Sequence, residues 1–243
     1  MRETVPGTAG LFGETDPPAE AGLIALLIDT LRAFGRTPGD FGIRLSSRNA
    51  WQQFFETRIP ASDSRDEKSY EFFQIIDTLE RAPADDSRQR LAALGFTLDE
   101  VNAFITGGAP TAELQSILDN LAARGLRDFV RVDYQVIRGL AYYTGVVFEA
   151  FDRKGEFRAI AGGGRYNNLV KLISAGKVDL PALGFGLGDV VLLELLKARG
   201  LLPKFSAAVE VFVLIEDESL RAASLQLVQE LRSAGLAADF PLT

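Results

Sequence analysis

Three short stretches carry residues whose types and spacing suit ligand chemistry. The first is "IRGLAYYTGVVFE", residues 137–149, where Arg138, Tyr142, Tyr143 and a glutamate lie between glycines. A guanidinium presents five donors in a planar fork and can clamp a phosphate or carboxylate. If the two tyrosines sit in a strand they point to opposite faces, so only one lines a given pocket. The alternative for these residues is a surface arginine and two sheet-packing tyrosines. The second stretch is "AGGGRYNN", residues 161–168, with Gly162, Gly163, Gly164 and Tyr166. Its glycines let backbone lie against a ligand before a helix N-terminus, or they make a tight strand-to-helix turn with a structural tyrosine. It is neither a GxGxxG fingerprint nor a Walker loop. The third is "ALGFGLGD", residues 182–189, where Gly184, Gly186 and Gly188 alternate. Such a strand offers a flat platform, and Asp189 reads as the cap of the next helix.

Composition narrows the chemistry. The 243 residues include no histidine and no cysteine. Disulfides, thiolate catalysis and cysteine zinc sites are excluded, and so is the commonest general base. Carboxylates, arginine, lysine, tyrosine and backbone dipoles remain. Thirty-three acids against 26 bases give a net charge of −7, which argues against a broad basic surface for nucleic acid or anionic membrane. The N-terminus shows no signal pattern and no apolar run approaches a membrane span, so a soluble cytoplasmic protein is expected.

The elements that must position these residues follow from periodicity. Residues 1–18 read as a loop or frayed end. A helix follows Asp16 and two prolines, with Leu23, Leu27, Leu31 and Phe34 on one stripe and Gly35 closing it. "FGIRLSS" reads as a short strand. Residues 48–126 form five helical pieces, two of them ending in "LAALG" and "LAARG" as glycine caps. From 128 the period becomes two: "FVRVDYQVI", "AYYTGVVFEAFD" and "EFRAIAGGG" read as strands, the last two as a hairpin joined at "RKG". "RYNNLVKLIS" is a helix, "PALGFGLG" a strand, and "DVVLLELLKARG" a helix with Asp189 as N-cap. After a linker, "VEVFVLIED", "ESLRAASLQLVQELRSAG" and "LAADFPL" make one βαβ unit.

In this order, "RGLAYYTGVVFE", "GGGRYNNLV" and "GFGLGD" closely resemble the catalytic core of the histidyl-tRNA synthetases, class II aminoacyl-tRNA synthetases whose pattern is RGLDYYTG-VFE, GGRYD-L and the motif 3 strand and helix. "FQIIDTLERA" resembles that family's helical insertion, and the last segment resembles the opening of its anticodon-binding domain. The resemblance implies an α+β fold with an antiparallel sheet core. Its expected parts are a catalytic remnant at 1–47, a helical insertion at 48–126, the catalytic core at 127–203, and the start of an α/β anticodon-binding domain at 207–243. It also implies ATP-dependent activation of L-histidine and transfer to tRNA(His). By resemblance, Arg138 sits by the α-phosphate and the histidine carboxylate. Tyr142, Tyr143 and Tyr166 form the histidine pocket over Gly162, Gly163 and Gly164. Gly184, Gly186 and Gly188 lie beneath the adenine. ATP with Mg2+ is the expected co-substrate, no protein-held metal is expected, and the full-length enzyme is expected to be a homodimer.

The sequence departs from the family at three places. Ala141 replaces the aspartate of RGLDYY, Asn167 the aspartate of GGRYD, and Val191 stands near the motif 3 arginine. Some members, plant organellar ones included, are similar to this sequence in having RGLAYYTG and GFG-GD. Motif 1, motif 2 and the glutamine-acid histidine-binding stretch are not visible in residues 1–18. An internal piece of a synthetase, inactive alone, is therefore expected. The alternative is the synthetase-like regulatory subunit of ATP phosphoribosyltransferase, a histidine sensor, in which the terminal βαβ unit is not expected. A third possibility is a degenerate scaffold that binds neither ligand.

Overall fold

The computed structural model describes residues 7–59, 65–137, 142–202 and 208–242. The chain divides into a larger unit ending at Leu201 and a smaller one from Leu202 onward. In the larger unit, helix α1 (Pro18–Ala33) has prolines at its first turn, where no backbone donor is lost. Leu23, Ile24, Leu27, Ile28 and Leu31 are buried along it. Gly35, at φ +75°, ends it in the left-handed conformation that glycine tolerates.

The sheet is built from β1 (Gly7–Phe12), β2 (Phe41–Ser47), β3 (Val130–Val132), β4 (Val146–Asp152), β5 (Ala161–Arg165) and β6 (Ala182–Leu187), in the order β1-β6-β5-β4-β2-β3. Every pairing is antiparallel except β2 with β3. Alternation decides the faces: Phe41, Ile43 and Leu45 of β2 and Val146, Phe148 and Ala150 of β4 enter the main apolar core with α1 and with α8 (Asp189–Ala198). The opposite face carries Val147 with the tyrosines. Thus the mixed α+β architecture with an antiparallel-dominated sheet is as expected.

Helices α2 (Arg48–Glu56), α3 (Arg65–Thr78), α4 (Ala84–Ala93), α5 (Leu98–Gly107) and α6 (Ala112–Ala123) occupy the helical stretch. Thr97 and Glu100 form a reciprocal capping box at α5. Trp51, Phe54, Phe72, Phe96 and Phe104 pack ring on ring. The Trp51 indole donates to the Tyr134 carbonyl at 2.9 Å, tying the helices to the chain after β3. Gly95 and Gly125, both at positive φ, follow α4 and α6 as glycine caps.

Several expectations require correction. Residues 7–12 are not a loop: β1 pairs along β6 from Gly7–Leu187 to Phe12–Ala182. The run "FVRVDYQVI" is a strand only at Val130–Val132, because the Asp133 carboxylate accepts the Gln135 N–H and turns the chain. The β4–β5 connection is longer than "RKG"; Gly155 closes a turn onto the Asp152 carbonyl at 3.0 Å, but β5 starts only at Ala161. The helix in "RYNNLVKLIS" is the short α7 (Leu169–Ile173). The N-cap of α8 is Gly188; Asp189 stands one position later, its carboxylate accepting the Val190 N–H.

The smaller unit holds β7 (Val211–Phe212), α9 (Arg221–Ser233) and β8 (Ala238–Asp239), with β7 and β8 parallel. The strands are far shorter than "VEVFVLIED" and "LAADFPL" suggest. Among the described residues no helix is long and apolar enough to cross a membrane.

Candidate active site

Glycine registry prepares the floor of the site. Across the sheet, Gly10 pairs with Gly184, Gly184 with Gly164 and Gly164 with Val147. The next row on the same face runs Thr8, Gly186, Gly162 and Glu149. Five of these eight positions are glycine; the Tyr166 hydroxyl stands over Gly184, whereas Gly186 has open space above its backbone on which a planar ligand can lie. Above them is a cavity of about 550 Å³, within the range of small-ligand sites.

Tyr142, Tyr143 and Tyr166 form its aromatic wall. The Tyr142 and Tyr143 rings lie 4.6 Å apart, and Tyr166 meets them edge-on at 6.0 and 6.3 Å. Both neighbouring tyrosines thus line one cavity, against the expectation that adjacent strand residues diverge. The reason is local: β4 begins only at Val146, so the pair sits in the turn before the strand, where period two does not apply. Burial pushes the Tyr166 phenol above the ordinary tyrosine range, and the nearby Tyr142 phenol adds to the shift.

Of the other residues singled out in the sequence, Gly162, Gly184 and Gly186 line the cavity. Gly163 and Gly164 do not. A Cβ on Gly163 would strike the Gly184 carbonyl and Phe185, and one on Gly164 would come 2.6 Å from the Val146 carbonyl and 3.0 Å from the Tyr143 ring, so Gly164 lets β4 approach and leaves room for that ring. Gly188 donates its N–H to the Ile160 carbonyl at 3.1 Å and caps α8 instead. Arg138 and Ala141 lie outside the described residues. Asn167 donates its backbone N–H to Thr144 Oγ1 at 3.1 Å and accepts from Arg165 at 3.3 Å through its side chain. Val191 is partly buried against the main core.

Sequence reasoning missed the contribution of β1, whose Thr8, Ala9, Gly10 and Phe12 complete the cavity. The available signal was the small-residue run "GTAGLF", which matches the glycine rows of β6 and β5 position by position.

Residues 2–189 match the family profile described as histidyl-tRNA synthetase. The chain is 46% identical to the histidine--tRNA ligase of Opitutus terrae, over 96% of this chain and 57% of that protein. It is 35% identical to the chloroplastic/mitochondrial histidine--tRNA ligase of Arabidopsis thaliana, over 99% of this chain and 52% of that protein. It therefore spans little more than half the length of these relatives. The fold is similar to a histidyl-tRNA synthetase from Nostoc (TM-score 0.68, 21% identity, 99% of this chain and 61% of that one). It is equally similar to a Bacillus halodurans protein titled an ATP phosphoribosyltransferase regulatory subunit/histidyl-tRNA synthetase (TM-score 0.68, 19% identity, 97% and 62%).

Proposed function

Because the chain belongs to the histidyl-tRNA synthetase family, we propose that it carries the amino-acid-binding half of a histidine--tRNA ligase active site. The observation supporting this reading most directly is the convergence of three tyrosines and a glycine floor on one cavity. Tyr142, Tyr143 and Tyr166 enclose the imidazole of L-histidine, aromatic faces and phenol hydroxyls together suiting a flat ring with polar nitrogens. Gly162 lies under the amino acid and Gly186 under the adenine of ATP; Gly184 beside it makes room for the Tyr166 hydroxyl at the edge of the same floor, and Gly188 begins the helix that follows. Gly163 and Gly164 act indirectly, by keeping β5 close to its neighbours.

The reaction is attack of the histidine carboxylate on the α-phosphorus of ATP, forming histidyl-adenylate and releasing pyrophosphate; transfer of the histidyl group to tRNA(His) follows. It needs alignment and charge stabilisation more than a base, in keeping with a chain without histidine. Arg138, matched by its motif, supplies the charge beside the α-phosphate. Mg2+ would come with the nucleotide phosphates, neutralising their charge. Residues 48–126 are assigned as the helical insertion and residues 207–243 as the beginning of the anticodon-binding domain. A homodimer in the cytoplasm is the expected setting of the whole enzyme.

The regulatory-subunit reading has one point in its favour, the Bacillus halodurans neighbour, whose similarity extends through 97% of this chain. The named histidine--tRNA ligases at 46% and 35% identity favour the first.

Histidine-dependent ATP–pyrophosphate exchange in the full-length protein, alongside calorimetric L-histidine binding, tests the assignment. Arg138→Ala is expected to slow exchange by the equivalent of about 2.7–4 kcal/mol while barely changing histidine affinity. Histidine binding with no exchange in the wild type would support the sensor instead. Equal losses of exchange and binding in the variant would remove Arg138 from the charge-stabilising role.

A further inference from the structure

Arg165 ends β5 on the side of the sheet away from the cavity, 4% exposed, against Glu20 of α1, 1% exposed. Its Nε donates to the Glu20 carboxylate. Its Nη1 donates to the Glu14 carbonyl at 2.7 Å and to Asn167 Oδ1 at 3.3 Å. The aliphatic stem lies on Gly145, where a Cβ would come within 3.3 Å of it. Its own carbonyl accepts the Thr144 N–H at 2.9 Å, and Thr144 Oγ1 accepts the Asn167 N–H. The side chain of this one residue thus joins the loop before α1, α1 itself and Asn167 beside Tyr166, while its stem packs on Gly145 and its main-chain carbonyl holds Thr144 in the turn carrying Tyr142 and Tyr143.

We propose that the Arg165–Glu20 pair is a positioning device that sets the mutual geometry of the three tyrosines, and through them the fit of the imidazole. The last clause rests on the histidine-binding reading; the first does not. Stability alone is a poor account of the pair. Taking two charges out of water costs more than apolar packing of the same volume, whereas a forked guanidinium fixes angles that a leucine would leave loose. The tyrosine turn also lacks the support of a strand, since β4 begins after it. Aromatic walls held on a turn need such a second layer of contacts to keep their geometry. Asn167 belongs to the same device: its side chain accepts from Arg165 while its backbone holds Thr144.

The test uses the full chain and two readouts. Three of its five tyrosines are in the cage, so near-ultraviolet circular dichroism in the tyrosine bands, below those of the single tryptophan, follows their packing. Calorimetry with L-histidine reports the fit. Arg165→Met and Glu20→Gln are each expected to change the tyrosine spectrum and weaken histidine binding by about tenfold or more. Arg165→Lys keeps a charge toward Glu20 but loses the fork, so it should fall between these and the wild type; it also serves if Arg165→Met does not fold. Arg199→Met, which breaks a partly buried pair with Asp152 away from the cavity, should lower the melting temperature and leave both readouts alone. Variants at Arg165 and Glu20 that melt earlier yet keep the wild-type spectrum and affinity would overturn the proposal. A wild-type chain that binds no L-histidine would defeat the functional reading, and the tyrosine spectrum alone would then decide the positioning role.

Discussion

Gly184 and Gly186 occupy the same face of one strand and look interchangeable in "LGFGLG", yet their surroundings differ. A Cβ on Gly184 would collide with the Tyr166 hydroxyl and come 2.7 Å from the Ala9 carbonyl. Neither neighbour yields easily, one being the cavity wall and the other β1 backbone. Gly184→Ala is therefore expected to destabilise the protein by about 1–3 kcal/mol, as overpacking does, and to weaken L-histidine binding through the displaced phenol. A Cβ on Gly186 meets nothing within 4 Å. Gly186→Ala should leave stability within about 1 kcal/mol of wild type while raising a methyl from the floor, so ATP affinity should fall. Denaturant unfolding and titration with each ligand separate the two cases. Equal stability losses would mean that open space above Gly186 does not exist in solution. The sequence showed that these positions were glycines in strand register. It did not show which of them ligand keeps bare and which the protein's own atoms keep bare, because that depends on Tyr166 and Ala9 arriving from elsewhere.

Among elements, the parts legible in the sequence were those with local signals. The leucines of the α1 stripe and the glycine caps after α4 and α6 each draw on residues a few positions apart, although Phe34, set on the same stripe, stays exposed just past the helix. What escaped was long-range. β1 has no period-two apolar pattern, and its strand character comes from β6, far along the chain. "YYTGVVFE" is rich in strand formers and reads as strand from its first tyrosine, but Thr144 and Gly145 hold the pair in a turn. The Glu20–Arg165 pair is not legible as a pair: Arg165 lies in the GGGRYNN stretch, but nothing in the sequence ties it to Glu20, 145 positions earlier. The contact of α6 with α1 adds a third charge to it. Burial raises the Glu113 carboxyl above the ordinary glutamate range, repulsion from Glu20 adds to this, and Arg165 opposes it less strongly. A carboxyl with a raised folded pKa holds its proton more tightly when folded, so ionised Glu113 costs stability above that pKa and nothing below the unfolded value. Glu113→Gln should accordingly melt at a higher temperature than wild type at neutral pH. The gain should shrink toward zero as pH falls through the folded and then the unfolded pKa. An advantage that persisted undiminished into acid would show that charge is not its cause.

At the scale of the whole molecule, apolar burial is unevenly distributed. Both hydrophobic clusters draw only on residues before Leu202. The larger runs continuously from α1 through the sheet to the aromatic rings of the helical stretch, so helices 48–126 and the sheet share one core. From Leu202 onward, the buried apolar residues among those described are Val228 and Ala238, while Phe212, Leu214, Leu227 and Leu242 stay exposed. Two short strands and one helix cannot offset the entropy of ordering about forty residues. A chain ending at Leu201 is therefore expected to unfold cooperatively, with a denaturant midpoint close to that of the whole, and to keep its affinity for L-histidine, since every residue lining the cavity lies within it. The isolated segment 202–243 is expected to show no cooperative transition. Equilibrium unfolding of the three chains, followed by far-ultraviolet circular dichroism, checks both halves of the prediction. A cooperative transition in the short segment would mean that its strands and helix hold a core of their own. Loss of the midpoint or of histidine affinity in the 1–201 chain would mean that the sheet and its tyrosines draw support from the segment that follows.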